Sequence, residues 1–449
     1  MNRALAETIV QCLSVARDPT PALFRLGRFS ERDWVRTREW LDLSGLALHL
    51  CQRLEECRAE PLVPARVAKR LQKNLADNRQ RLAAIAADFV RLNGLLAEAG
   101  IAHAALKGLA MVPDYCPDGV LRVQFDHDYL VEAESLARAE ETLQAAGYTR
   151  KNPHEAHPRA YIRSSSERSS LEKRTDFYSA ELIRPVELHV RLWEDEEEGI
   201  PIDLPRDFLE RAQLLKWSGH RYGGLSDEDA LLFQVLHGFR HMLRNWCRLS
   251  ILLEIASFLR CRAQDERLWQ SFGERTKNLR YVPQAAGVVF SLATQVFDGE
   301  VPAAARPFTV ETLTPALKLW VERYGTRLAL DNFRKTKFSL FLHREFVSDG
   351  ATWRAMLRRR LFPRHTRAIT RTLPAWKFAA LGPQSLRQAA YALQRLGFHL
   401  VAALTYGWEH SRWVRLRKKV YARSVQYVRR QEETDRRSGA IKEMVSSPS

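Results

Sequence analysis

The sequence predicts an α+β fold: a small mixed sheet flanked by helices, with helical segments at both ends of the chain. Three observations carry this. Apolar residues recur at helical spacing from Met1 to about Asp88, and they do so again from Ser226 to about Phe341. Between Ile101 and about Asp195, short alternating runs give the order strand, helix, strand, helix, strand. The segments are drawn at 1–90 (N-terminal helices), 91–199 (the sheet-bearing core), 200–345 (a helical domain) and 346–449 (a basic helical tail), and no internal repeat is visible.

In the first segment, Ser30 is placed as an N-cap ahead of Trp34, Leu41 and Leu48, which fall near heptad spacing. A long amphipathic helix then runs from Leu71 to a terminating Gly100. "IAHAAL" (Ile101–Leu106) reads as a short buried strand, followed by a turn at Lys107-Gly108, a brief helix and a Pro- and Gly-containing loop from Pro113 to Gly119. "RVQFDHDYLV" (Arg122–Val131) reads as the next strand, "ESLARAEETLQAAG" as a helix closed by Gly147, and "PVELHVRLW" (Pro185–Trp193) as a third strand after the polar stretch Lys151–Arg174. Side chains two apart on a strand share a face, with roughly 7 Å between their Cα atoms, so Asp126 and Asp128 are held as like-charged neighbours. That costs energy unless a cation, a shared proton or open water compensates it. Glu187 and His189 share a face by the same alternation, while His127 and Tyr129 point to the opposite, buried face.

Composition bounds the function classes. A chain of 449 residues with 45% hydrophobic content can bury at least one full core. The N-terminus carries Glu7, Asp18 and Glu31 and lacks the apolar run of a secretory signal, and the most apolar late run, Leu396–Trp408, is too short to span a bilayer. Six scattered cysteines without a Cys-x-x-Cys pair fit a reduced compartment and argue against a structural zinc site. A cytoplasmic protein, or one peripheral at the membrane, is therefore expected. Residues 351–430 hold 18 Lys+Arg against one acid, Glu409, which accounts for the whole chain's net +17. These bases interleave with Trp353, Trp376, Trp408, Trp413, Tyr421 and Tyr427, a pattern open to three readings: a solvated basic tail, an anionic membrane surface, or nucleic acid.

Taken together, "LKG" at Leu106–Gly108, the R…D.D.LV pattern from Arg122 to Val131, Gly147-Tyr148, "VELH" at Val186–His189 and "LHGFRH" at Leu236–His241 resemble the uncharacterised nucleotidyltransferase-like family of the polymerase-beta superfamily, over roughly Trp34 to Leu259. The resemblance implies a nucleotidyltransferase-type sheet and transfer of a nucleoside monophosphate from an NTP to an acceptor hydroxyl on an unidentified small molecule, glycan precursor or protein. It implies that Asp126, Asp128 and Glu187 hold Mg²⁺ or Mn²⁺, with Glu187 as the alternative base toward the acceptor. Such ions bridge phosphate oxygens and the attacking oxygen, and magnesium prefers carboxylate ligands. Lys107, Gly108 and Arg122 are then nucleotide-side residues, Gly108 allowing close backbone approach at the start of a helix.

His189, His237 and His241 are expected on the substrate side. His237 and His241 lie four apart, which is zinc-ligand spacing, but Gly238 stands where a metalloprotease carries its glutamate. The pattern departs from the superfamily at Lys107, where Gly-Ser or Gly-Gly is usual, and at His127 and Tyr129, where aliphatic residues are usual. These departures keep open a catalytically silent member of the fold that binds nucleotide or a partner, and the basic segment separately keeps open a factor acting on nucleic acid or membrane through its tail.

Overall fold

The computed structural model describes residues 1–152, 158–163, 177–179, 184–331, 336–361 and 384–445, with the backbone alone given at 384–392, 425 and 427–445. Most of the polar stretch 151–174 and Trp376 therefore lie outside the described residues, and Tyr427 is described by its backbone only.

The N-terminal segment folds as helices α1 (Arg3–Cys12), α2 (Thr20–Leu26), α3 (Glu31–Ser44), α4 (Ala47–Glu56) and α5 (Ala65–Glu98). Ser30 caps α3 through a reciprocal capping box with Asp33, so two otherwise orphaned N–H groups are satisfied. The 34 residues of α5 give it a length of about 50 Å. It stops where Gly100 turns left-handed at φ +64° and the chain enters the sheet.

Among the described residues seven strands form one mixed sheet: β1 (His103–Ala105), β2 (His127–Val131), β3 (Tyr148–Arg150), β4 (Arg159–Arg163), β5 (Val186–His189), β6 (Gln213–Trp217) and β7 (His220–Gly224), in the order β3-β4-β5-β2-β1-β7-β6. β2 lies at the centre, antiparallel to β1 and parallel to β5. One face carries Tyr129, Val131, Val186 and Leu188 into a core completed by Ile85, Phe89, Leu92 and Leu96 of α5 and by Ala139 and Leu143 of α6 (Leu136–Ala145). The other face, with Leu130, joins a larger core built from the remaining helices. Asp128, Glu187 and His189 belong to this second face.

The structure differs from the sequence-based expectation at both ends of the sheet. The second strand starts at His127, not Arg122, because side chains take the preceding carbonyls before a neighbouring strand can. Asn78 donates to Val120 and Arg122, Arg81 to Gln124, and Arg248 to Val123. The segment 200–345, read as helical, opens with the β6–β7 hairpin. Its tip holds Ser218 and Gly219 at positive φ, the requirement of a tight two-residue turn. β7 then pairs with β1, and Gly223 makes the approach possible: a Cβ there would lie 2.3 Å from the His103 carbonyl.

Helices α7 (Asp195–Glu198), α8 (Asp227–Leu243), α9 (Leu249–Cys261), α10 (Glu266–Thr276) and α11 (Val282–Phe297) follow, then the helices Pro315–Trp320, Thr326–Asp331, Ser339–Arg344 and Gly350–Leu361, and last the long C-terminal helix Gln384–Val445. No helix among the described residues is long and apolar enough to cross a membrane.

One buried polar hub ties these helices together. Glu198, fully buried, accepts from Arg244 and pairs with Arg360, and its carbonyl accepts from His343 Nε2 at 2.5 Å. Among the described residues His343 Nδ1 has no partner, and burial, reinforced by the Arg360 charge, pushes the imidazole down to about 3. An unfolded histidine protonates near pH ~6.5. Below that pH the unfolded chain therefore binds a proton that folded His343 refuses, so stability is complete above pH ~6.5 and falls as pH drops, by about 1.4 kcal/mol per pH unit from this residue. Urea unfolding between pH ~7 and pH ~4.5 should show His343→Gln, which keeps a donor for Glu198, losing that share of the slope.

Candidate active site

The site is assembled by the centre of the sheet. Parallel pairing sets Asp128 directly across from Glu187, and His189 comes two residues later along β5, so all three side chains leave the same face. The β1–β2 ladder is extended by the Leu106 N–H donating to the Asp128 carbonyl at 3.0 Å. The next residue, Lys107, therefore leaves β1 beside Asp128.

The polar groups converge closely. Lys107 Nζ lies 3.1 Å from Asp128 Oδ2 and 3.4 Å from Asp126 Oδ1. His189 Nε2 is 3.1 Å from Asp128 Oδ1 and 4.0 Å from Glu187 Oε2. Side-chain exposure rises from 2% at Asp128 to 21% at Glu187 and 27% at Asp126, so the site opens on the side of the last two. Nearby, Arg184 donates to Asp88 at 2.8 Å and Arg191 pairs with Glu194 at 3.5 Å.

Burial alone would raise the Asp128 carboxyl, but the Lys107 ammonium and the His189 contact outweigh it and hold Asp128 well below the usual range. Asp126 moves the other way, raised by burial and then by the neighbouring charge of Asp128. Lys107 is kept charged: burial opposes its ammonium, and Asp126, Asp128 and Glu187 overcome that. The like-charge conflict read from the sequence is thus met by an internal cation.

The Lys107-Gly108 turn has a strict steric basis. Gly108 sits at φ +76°, and a Cβ there would lie 2.6 Å from Oε1 of buried Gln124. Gln124 in turn donates to the Asp126 carbonyl at 2.8 Å. Gly108→Ala should therefore displace the group that fixes Asp126 and cost about 2–3 kcal/mol, read by urea unfolding. The brief helix expected after this turn is present only as a 3₁₀ turn. Gly108–Met111 is a single 3₁₀ turn with Pro113 just beyond it, too short to offer a helix-terminal anion site.

The other residues singled out in the sequence lie around this centre. Arg122 Nε donates to Glu254 of α9 at 2.9 Å, and its charge reaches Asp126 and Asp128. His237 and His241 stack edge-on along α8 with 4.6 Å between ring centres, and His241 Nδ1 donates to the Trp246 carbonyl at 2.8 Å. Burial keeps both neutral, His241 down to about 3, with the Lys107 charge adding to the effect. His127 and Tyr129 do face the buried side. The Tyr129 hydroxyl accepts from Asn93 at 3.0 Å, while His127, its Nε2 unpartnered among the described residues, is pushed by burial to about 4.

Among the described residues, the group of three or more His, Cys, Asp and Glu side chains whose donor atoms converge within 4.8 Å is Asp128, Glu187 and His189. Asp126 is joined to it through Lys107, so His189 stands closer to the acids than the sequence alone suggests. The donor set suits a divalent cation: two carboxylates, an imidazole, and a buried Asp128 Oδ2 that faces the Lys107 ammonium without a well-aligned hydrogen bond.

No curated protein and no solved structure matches the chain. A family model described as uncharacterised nucleotidyltransferase matches residues 30–298, a stretch that takes in α3, the whole sheet and all of the site residues above. With more than half its length matched, the chain belongs to this uncharacterised nucleotidyltransferase family.

Proposed function

We propose that the protein transfers a nucleoside monophosphate from an NTP to an acceptor hydroxyl, with Asp126, Asp128 and Glu187 as its acidic centre. The observation that carries this is the convergence of Asp128, Glu187 and His189 beside Lys107 at the middle of the family's matched region. In the reaction the acceptor oxygen bonds to the α-phosphorus, the bond to the β-phosphate breaks, and pyrophosphate leaves. Glu187, the more exposed acid of the converging group, takes the acceptor's proton. Lys107 swings its ammonium onto the triphosphate as negative charge builds there, and Arg122 adds fixed positive charge from the edge. His189 holds the Asp128 carboxylate in place through Oδ1. Mg²⁺ or Mn²⁺, held by Asp126, Asp128 and Glu187 with His189 alongside, would draw charge from the phosphates when bound. His237 and His241 border the acceptor side.

A second reading, a binding protein without turnover, is favoured by one observation: Lys107 already gives both aspartates a counter-charge. Incubation with each α-³²P-labelled NTP and Mg²⁺ or Mn²⁺ separates the two. Label transferred to the protein itself or to an acceptor supports the enzyme, whereas saturable NTP binding with no release of pyrophosphate supports the binding module.

A further inference from the structure

Over residues 393–424 the long C-terminal helix has an inner and an outer face. Its inner face is anchored. Tyr406 and Trp413 stack on Phe341 with ring centres 5.0 and 5.4 Å apart, and Arg417 donates to Glu345 at 2.7 Å. Glu409, the sole acid between 351 and 430, is turned inward as well, accepting from Arg323 at 2.7 Å and from the Tyr324 hydroxyl at 2.8 Å. The one negative charge of the segment is therefore spent on the core.

The outer face is left apolar and then basic. Leu393, Leu396, Leu400 and Leu404 succeed one another at intervals of three and four residues, a single stripe, and they are 69, 66, 56 and 65% exposed. Trp408 extends the stripe at 86% exposed, giving it a length of about 22 Å. One turn further on, the same face presents Arg412, Arg415, Lys418 and Lys419, all exposed or half-buried and none in an ion pair among the described residues. Contiguous exposed aliphatic surface on a soluble face marks a binding surface.

We infer that this face docks the protein on an anionic phospholipid bilayer, the leucine stripe and Trp408 entering the headgroup boundary and the basic turns lying against lipid phosphates. The charge decides among occupants. A nucleic acid would use the cations and leave four leucines wet, since its surface offers phosphates and not hydrocarbon. A second copy would cover the leucines while bringing together two segments of +17 each. An anionic bilayer takes both halves of the face at once. The inference does not depend on nucleotidyl transfer.

The test is co-sedimentation of the full-length protein with phosphatidylcholine vesicles, with and without phosphatidylglycerol, at physiological ionic strength. The protein should pellet with the anionic vesicles alone. Leu400→Glu/Leu404→Glu should lower partitioning about 100-fold, and Lys418→Glu/Lys419→Glu by a similar factor. Both pairs lie on the outer face, so circular dichroism and melting should match the parent. The inference is overturned by absence of binding to anionic vesicles, by equal pelleting with neutral ones, or by a leucine variant that still binds like the parent. It is equally overturned if light scattering shows a dimer that the leucine variant dissolves, or if salt-sensitive oligonucleotide binding is the only interaction found.

Discussion

Transfer of labelled nucleotide should fall by at least about 10³-fold in the Asp126→Asn/Asp128→Asn variant, equivalent to about 4 kcal/mol of transition-state stabilisation. Both amides keep the shape of the carboxyls, and the amide oxygen at position 128 can still meet His189. What disappears is charge. That has a structural side too, because Lys107, only 15% exposed, would lose its partners at 3.1 and 3.4 Å. A buried ammonium left with only Glu187 as counter-charge still costs about a few kcal/mol, so the double variant should melt earlier as well as lose activity. Adding Lys107→Met removes the stranded charge. The triple variant should recover most of the lost melting temperature in a thermal scan and none of the transfer. Full activity in either variant would remove Asp126 and Asp128 from the chemistry.

The alternation in "DHDY" and "VELH" put Asp128, Glu187 and His189 on defined faces of their strands, and Ser30 and Gly100 punctuated the helices as local chemistry demands. Such features are legible because they depend on neighbours within a few positions. The pairing that sets Asp128 against Glu187 is not local: it joins residues 59 positions apart, and only the family resemblance anticipated it. Asp126 leaves the strand for a reason equally remote in sequence, since Asn78 and Arg81 of α5 occupy the carbonyls before it. The β6–β7 hairpin had a readable Ser-Gly turn, but its strands, QLLKW and HRYGG, lack the apolar alternation of a half-buried strand. His189 was readable as a neighbour of Glu187, whereas its contact with Asp128 required the register.

Arg122 shows how a charge can belong to the scaffold and to the site together. Its Nε bond to Glu254 at 2.9 Å links the entry of β2 to α9, with Glu254 at 3% exposure. Arg122→Met should strand that carboxylate and destabilise the protein by about 3–5 kcal/mol in urea unfolding, because breaking a buried pair leaves its partner uncompensated. The result should fall near the lower end, since the charge of Arg248 also reaches Glu254. Pairing the change with Glu254→Leu should restore most of the stability, because the energy lies in the unpaired charge and not in the contact itself. This double variant then isolates the electrostatic duty of Arg122. With the fold restored, a raised KM for the NTP at unchanged melting temperature would be the signature of its positive charge acting on the phosphates, and an unchanged KM would assign Arg122 to bracing β2 against α9 alone.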